Sequence, residues 1–419
     1  MMAIITLLLA ISPFLFFRPK DFFQPEFFLN LYFIMLIGLG PLALSILRPD
    51  IYRQGNYSTV LSIIAIGFVC INFGFALQDI IHNKFKIVIT GTLYRTVLSY
   101  KTWVSSRKKQ VRFVGLGLAC LSCLASAIYF LRAGQIPLFA ADKESARVAA
   151  LSISGNGYFL YIMTLGVFAP AFYYLPSVSA SGKKAFKNPL FIAITTMLCC
   201  MLLFTGSRRY SIWLGIYLIS IYHYLEVKVS IKKMMLFAVV GVVFVNVFEM
   251  VRNPNSDTTV DFMTTAGYRL IVYISNLEKV FTAFINHDPL YGATFFMDVA
   301  TIMPGKQVDY QSWLKEIVGL EFEGFGIPPT VMGDMYINFG YPGVVLGCTL
   351  LGYLVKLIYR KKILQGKTGF GIIIYISSLE IFSKIITSGI SAQSMSVLWM
   401  VMVYLSIYLF FRLLSPKSI

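Results

Sequence analysis

Apolar residues run along this chain in long uninterrupted blocks, separated by short polar or basic stretches. Blocks of roughly 17–25 apolar residues are what a helix needs to cross a bilayer. The pattern predicts eleven spans, near 2–17, 27–47, 58–77, 113–131, 157–176, 189–204, 210–227, 232–248, 333–358, 369–387 and 393–414. A transmembrane barrel would show short alternating segments instead. The expected fold class is therefore all-α, a polytopic helical membrane protein forming a single membrane domain over 1–419. The first block has no basic region ahead of it, so it reads as a retained helix and not as a cleaved signal.

Composition narrows the class further. Of the 419 residues, 57% are hydrophobic and 13% charged, whereas a soluble chain carries about 25% charge. The formal charge is +17, and its distribution decides what it means. With the connecting segments assigned to alternate sides, one side carries 22 Lys and Arg against 4 Asp and Glu, and the other 12 against 14. The positive-inside rule makes the basic side cytoplasmic, with the N-terminus outside and the C-terminus inside. Runs such as Arg107-Lys108-Lys109, Lys183-Lys184 and Arg360-Lys361-Lys362 then read as topology anchors, and no nucleic-acid partner is implied. The basic loop 78–112 is cytoplasmic in this scheme, and its amphipathic stretch Ile87–Tyr100 suits the interface. All six cysteines fall in apolar spans, so Cys120-x-x-Cys123 reads as small apolar packing. No internal repeat is visible, which weighs against most secondary transporters.

Two outer segments draw the search for chemistry: 132–156, and 249–332, which is far longer than any other connection. Long loops are uncommon unless functional. Within the second, Phe262–Ile285 and Val308–Gly319 repeat apolar residues at helical spacing. Arg132, Arg147, Arg208, Arg209, Arg252 and Arg269 lie on the outer side, where positive charge opposes topology. Guanidinium forks bind phosphate oxygens bidentately, so the set suits a lipid-linked phosphate or pyrophosphate; the alternative is that each caps a helix or pairs locally. Arg208-Arg209 sits in the tight hairpin Thr205–Tyr210, at headgroup depth. Arg147 precedes Gly155-Asn156-Gly157-Tyr158, a turn that permits close backbone approach or simply starts a helix with Asn156 as cap.

Thirteen carboxylates lie in the outer loops, and most of them read as solvated surface. Asp334 stands apart because it begins a span: it either complements the helix dipole or is held as a general base. Asp142-Lys143-Glu144 has a metal-binding spacing, but two carboxylates are too few, and no metal or other cofactor is implied. Glu380 and Lys384 are four apart on one helix and should neutralise each other; Lys356 can snorkel to the cytoplasm.

These outer motifs resemble a known family. Ile136-Pro137-Leu138-Phe139 followed by Asp142, Arg147 and Gly155-Asn156-Gly157-Tyr158 is similar to the oligosaccharide repeat unit polymerases, the Wzy or O-antigen polymerase type. The Gly206-Ser207-Arg208 hairpin and the loop's close at Pro328-Pro329-x-x-x-Gly333-Asp334-x-Tyr336-x-Asn338-Phe339-Gly340 extend the likeness. The last part also resembles the O-antigen ligases, although Pro328-Pro329-Thr330 stands where they carry a histidine, so no histidine base is carried over. Nor is the Arg-x10-Gly spacing of some polymerases met, since nine residues separate Arg147 from Gly157.

The resemblance implies a GT-C-like architecture in a bacterial inner membrane. It implies en bloc transfer of a growing glycan from undecaprenyl pyrophosphate to an incoming lipid-linked repeat unit, in making O-antigen or a related surface polysaccharide. A chain-length regulator protein is an implied partner. Under this reading Arg147 and Arg208 act on the pyrophosphate, Asp334 is the base, and Arg209, Arg252, Arg269, Asp142, Asn156, Tyr158 and Tyr336 bind substrate. Trp313 and Tyr310 join the two tyrosines as candidates for stacking on sugars. A flippase of the same lipid-linked oligosaccharide and an O-antigen ligase are the alternatives.

Overall fold

The computed structural model describes residues 21–85, 108–181, 188–225, 262–303, 308–320, 326–365 and 368–413, with short pieces between 227 and 243. Among them the chain is helical, without strands. Seven helices are long and apolar enough to span a membrane: Pro25–Leu47, Tyr57–Asn83, Lys108–Ala133, Asn156–Pro176, Thr330–Leu364, Gly369–Ser388 and Ser391–Arg412. Of the other spans expected from the sequence, 189–204 is the 16-residue helix Pro189–Phe204. The stretch 210–227 forms Arg208–Leu225, whose arginines, tyrosines and histidine dilute its apolar character. The expected span 2–17 and much of 232–248 lie outside the described residues, as does the amphipathic stretch Ile87–Tyr100.

The chain divides into two compact units. One comprises Met1–Val88, Thr259–Arg360 and Ser377–Ile419; the other comprises Ile89–Thr258 and Lys361–Ile376. In the first unit the Thr330–Tyr359 helix lies along Tyr57–Phe85. The two backbones nearly touch where Gly74 faces Thr349 and Gly352 faces Ile71, since a Cβ on either glycine would collide with a carbonyl oxygen of the partner helix. Small residues serve this purpose in lipid, where close dispersion contact replaces the hydrophobic drive. The Phe262–Phe284 helix packs on Gly40–Leu47 in the same way: a Cβ at Gly40 would stand 2.7 Å from the Leu270 carbonyl.

One helix of this unit is broken. Gly340 has φ 63° and ψ −154°, open only to a residue without Cβ, and Pro342 has no N–H to give the Asn338 carbonyl. The freed carbonyls of Ile337 and Asn338 accept the amides of Leu290 and Tyr291 at 3.1 and 2.8 Å. A lost helical bond thus becomes the attachment of a loop.

Several polar side chains inside the unit pair with one another. Asn30 and Asn72 exchange hydrogen bonds at 2.8 and 3.2 Å. Lys356 does not snorkel; it is buried and paired with the buried Glu26, with Asp79 3.6 Å away and itself bonded by Arg360. Removing one member of a buried ion pair costs about 3–5 kcal/mol, whereas replacing both is often near neutral. Lys356→Met is therefore expected to lower the melting temperature in detergent strongly, and Glu26→Gln with Lys356→Met to recover most of the loss. Glu380 and Lys384 do pair along their helix, at 2.5 Å.

In the second unit, Gly115 on Lys108–Ala133 meets Ala169 and Tyr173 so closely that a Cβ at this position would stand 2.7 Å from the Tyr173 amide nitrogen. The Asn156–Met163 helix tightens into a single-turn 3-10 stretch at Thr164–Val167, and Ser122 Oγ donates to the Met163 carbonyl at 2.7 Å. Asn188 caps Pro189–Phe204, accepting the Leu190 amide at 2.9 Å.

Candidate functional site

The first loop and the 205–210 hairpin, far apart in sequence, meet within the second unit. Pro137, buried, lies under Gly206, and the Phe139 ring packs 5.4 Å from Phe204. Gly206 has φ 75°, which lets the chain reverse between the two helices in so few residues. Asp142 starts the Lys143–Ser152 helix, its carboxylate accepting Ser145 N at 3.1 Å and Ser145 Oγ at 2.6 Å. Ala146 and Ala150, four apart, turn that helix's buried face inward and bring Arg147 with it.

Arg147 lies half-buried among Tyr129, Tyr210 and Arg209. Burial pulls its affinity for the proton down, as does the Arg209 charge, while the two tyrosine hydroxyls act the other way. Arg209 is exposed, with its guanidinium 5.1 Å over the Tyr210 ring. Arg208 is half-buried as the first residue of its helix. The arrangement gathers like charges at the rim of partly desolvated, hydroxyl-bearing surface, the setting in which a multiply charged anion is bound most strongly.

Arg132 is used differently. It donates to the Ser154 carbonyl at 2.7 Å and lies 5.6 Å over the Phe159 ring. Its guanidinium fits against Gly155, whose φ is 75°. Gly155, not Asn156, occupies the cap position of Asn156–Met163. Asn156 is fully buried and donates to the Ala150 carbonyl at 2.8 Å, while its own side-chain oxygen is buried without a hydrogen-bond partner among the described residues. Tyr158 is exposed.

The remaining candidates belong to the first unit or fall outside the described residues. Arg252 is outside them, and Arg269 lies on the Phe262–Phe284 helix. Asp334 is 0% exposed. Its carboxylate accepts Ser391 N at 2.9 Å, Ser391 Oγ at 2.7 Å and Asn338 Nδ2 at 3.3 Å. Asn338 in turn accepts the Gly292 amide and bonds Thr294, whose hydroxyl lies 2.7 Å from Ser391 Oγ. Gly389, at φ 87°, makes room: a Cβ there would stand 2.7 Å from that of Asp334. Asp334 and Asn338 therefore tie three chain segments together. An Asn at 334 has one acceptor oxygen for these donors, and leaving a buried donor unmade costs about 1–3 kcal/mol. Asp334→Asn is expected to lower the unfolding free energy by that order, measured by thermal melting in detergent.

The helices foreseen in the long loop are present as Phe262–Phe284 and Tyr310–Ile317. Tyr310 is 0% exposed, so it offers no face to a sugar. Trp313 is half-buried and stacks on it at 5.8 Å; Tyr336 is half-buried against Phe281 at 4.9 Å. Asp298, undistinguished in sequence, accepts the Tyr310 amide at 2.8 Å. Burial pushes it up to about 6; the Tyr310 amide opposes this, and the Asp309 and Asp334 charges add to it.

The family model described as "Putative O-antigen polymerase" matches residues 21–408. The chain belongs to the O-antigen polymerase family. That match covers nearly all the described residues of both units, and it agrees with a multi-pass helical membrane protein with a polymerase role. No curated protein and no solved structure matches the chain. For the O-antigen polymerase family, lipid-linked oligosaccharides are the implied substrates.

Proposed function

We propose that the protein is a glycosyltransferase of the bacterial inner membrane that joins undecaprenyl-pyrophosphate-linked repeat units. The growing chain moves en bloc to a sugar hydroxyl of the incoming unit, and undecaprenyl pyrophosphate leaves. The observation that carries this reading is the meeting of Arg147 and Arg209 at Tyr210, in the family's matched region and at the start of the helix that Arg208 begins. These cations hold the pyrophosphate and stabilise the charge that builds on it as the glycosidic bond breaks. Tyr158, exposed in the first turn of the helix that follows the Arg147 loop, stacks on a sugar or marks the headgroup level. Arg252 and Arg269 are the further cations assigned to the lipid-linked phosphates. Asp334, enclosed and fully engaged, is assigned to holding the loops rather than to taking a proton. The expected orientation keeps the N-terminus outside and the C-terminus inside, and a chain-length regulator is the expected protein partner.

The test is polymer length on a gel from a polymerase-deficient host that makes the matching repeat unit. Expression of the chain is expected to replace single repeats with a ladder. If no ladder appears while lipid-linked repeats remain on the cytoplasmic face of the control host, the chain is a flippase instead. A ladder already present in the host and newly joined to its final acceptor marks a ligase.

A further inference from the structure

One stretch of the long loop carries large exposed rings. Residues 290–303 include a single charged side chain, Asp298, whose carboxylate is turned to the Tyr310 amide. Tyr291 and Phe296 are 77% and 73% exposed. Tyr291 holds φ at 49°, a conformation that a residue with a Cβ rarely takes, and the hydrogen bond from its amide to the Asn338 carbonyl fixes the turn. An apolar stretch of about 10–14 residues is too short to span a bilayer and has the length of an interfacial segment.

Two helices of the same unit measure the level at which this stretch lies. Roughly 20 helical residues, rising 1.5 Å each, cross a hydrocarbon core of about 30 Å. The Thr330–Tyr359 helix runs into the basic Arg360-Lys361-Lys362, and that length counted back from Arg360 reaches Gly340, where the helix is broken. Ser394–Leu413 has Arg412 in its last turn, and the same length counted back from it reaches the short turn Ser391–Gln393. The loop is attached at both points. Leu290 and Tyr291 donate to Ile337 and Asn338, just before Gly340, and Thr294 Oγ lies 2.7 Å from Ser391 Oγ. The stretch therefore sits where hydrocarbon gives way to headgroups, at the end remote from Arg360 and Arg412.

The same helices give its lateral direction. Phe339, Pro342, Leu346, Leu350 and Leu354 are exposed at spacings of three and four residues, one continuous stripe. Val397, Val401, Leu405 and Leu409 form another on the last helix. Exposed apolar stripes on spanning helices face acyl chains, which are as apolar as leucine. Phe295 packs 5.9 Å from Phe339, at the head of the first stripe, and Met297–Ala300 packs on the helix that carries the second. The loop's rings thus continue two lipid-facing surfaces.

We propose that residues 290–303 are an interfacial anchor, seated in the headgroup layer of the bilayer by Tyr291 and Phe296. The inference needs the membrane fold alone and not the proposed reaction. Irregular backbone exposed to lipid is confined to that layer, because hydrocarbon offers its amides and carbonyls no partner. Aromatic rings are favoured at the same depth, where the apolar body meets acyl chains and a tyrosine hydroxyl meets water and headgroup oxygens. The long loop is thereby held to the membrane surface between its two helices, Phe262–Phe284 and Tyr310–Ile317.

The test places the photo-crosslinker p-benzoylphenylalanine at Tyr291, Phe296, Leu350 or Glu316, one position at a time, in the full chain. Each protein is reconstituted in liposomes of phosphatidylethanolamine and radiolabelled phosphatidylglycerol, irradiated, and counted on a denaturing gel. Leu350 reports acyl chains, and Glu316 is an exposed charged position on Tyr310–Ile317. Because an interfacial segment is buried about 5–10 Å into the headgroup boundary, label at 291 and 296 is expected within about threefold of that at 350 and at least about tenfold above that at 316. Both replaced rings are exposed, so each protein should keep the wild-type melting temperature. Label at 291 and 296 no higher than at 316 would overturn the proposal. Cross-linking of either position to a second protein chain, seen as a band of higher mass, would overturn it too, since protein would then cover this face.

Discussion

Replacing Arg147 with alanine is expected to reduce the polymer ladder to a single repeat unit without removing the protein from the membrane. The expected loss in rate is about a hundredfold to a thousandfold, the usual consequence of deleting one preorganised donor to a developing oxyanion. Arg147 is half-buried between Tyr129 and Tyr210, with Arg209 close by, so its charge acts in a medium less screened than water. Arg147→Lys keeps the charge but not the planar fork, and should yield shorter ladders rather than none. Arg132→Ala serves as a contrast. It breaks a bond to the Ser154 carbonyl and should lower melting temperature before it lowers polymer length. Gel ladders, with membrane abundance by immunoblot, separate the cases. A full ladder from Arg147→Ala would remove this cluster from the pyrophosphate.

Gly352→Leu is expected to prevent accumulation of the folded protein. The contact of Gly352 with Ile71 and of Gly74 with Thr349 is backbone against backbone, so no side-chain rotation can relieve it. The helices must separate, which forfeits dispersion contacts along their whole crossing. Overpacking a fitted site costs about 1–3 kcal/mol and sometimes more; a rigid backbone obstacle belongs at or above the top of that range. Gly117→Leu is the matched control, since nothing lies within 4 Å of that position, and its melting should stay within about 0.5 kcal/mol of wild type. Fluorescence-detected size exclusion and thermal melting read both. Native melting in Gly352→Leu would mean the helices do not cross this closely.

What the sequence made legible follows from which forces are local. Span positions come from hydropathy summed over many residues, so Lys108–Ala133 and Gly369–Ser388 emerged near 113–131 and 369–387. The loop helices Phe262–Phe284 and Tyr310–Ile317 showed through because apolar residues recur on one face. Arg147 and Arg209 were both singled out, by residue type and side of the membrane, but their approach depends on the Phe139–Phe204 and Pro137–Gly206 contacts, which pattern alone does not encode. Asp298 had no local mark. Its distinction comes from an amide twelve residues on and from the Asp334 charge further along. The Lys356–Glu26 pair spans most of the chain, beyond the reach of any reading by windows.

The proline break in the Thr330–Tyr359 helix has a consequence for how such a loop can diversify. Leu290, Tyr291, Gly292 and Thr294 are fastened to the Ile337–Asn338 turn, and the far end returns through Ile327 N to the Gln311 carbonyl at 3.3 Å. The chain between these clasps enters and leaves at fixed points. Residues can be inserted between the buried anchors Thr294 and Tyr310, and closing a longer insert costs only slowly more with length. The loop can therefore lengthen while every membrane helix keeps its register.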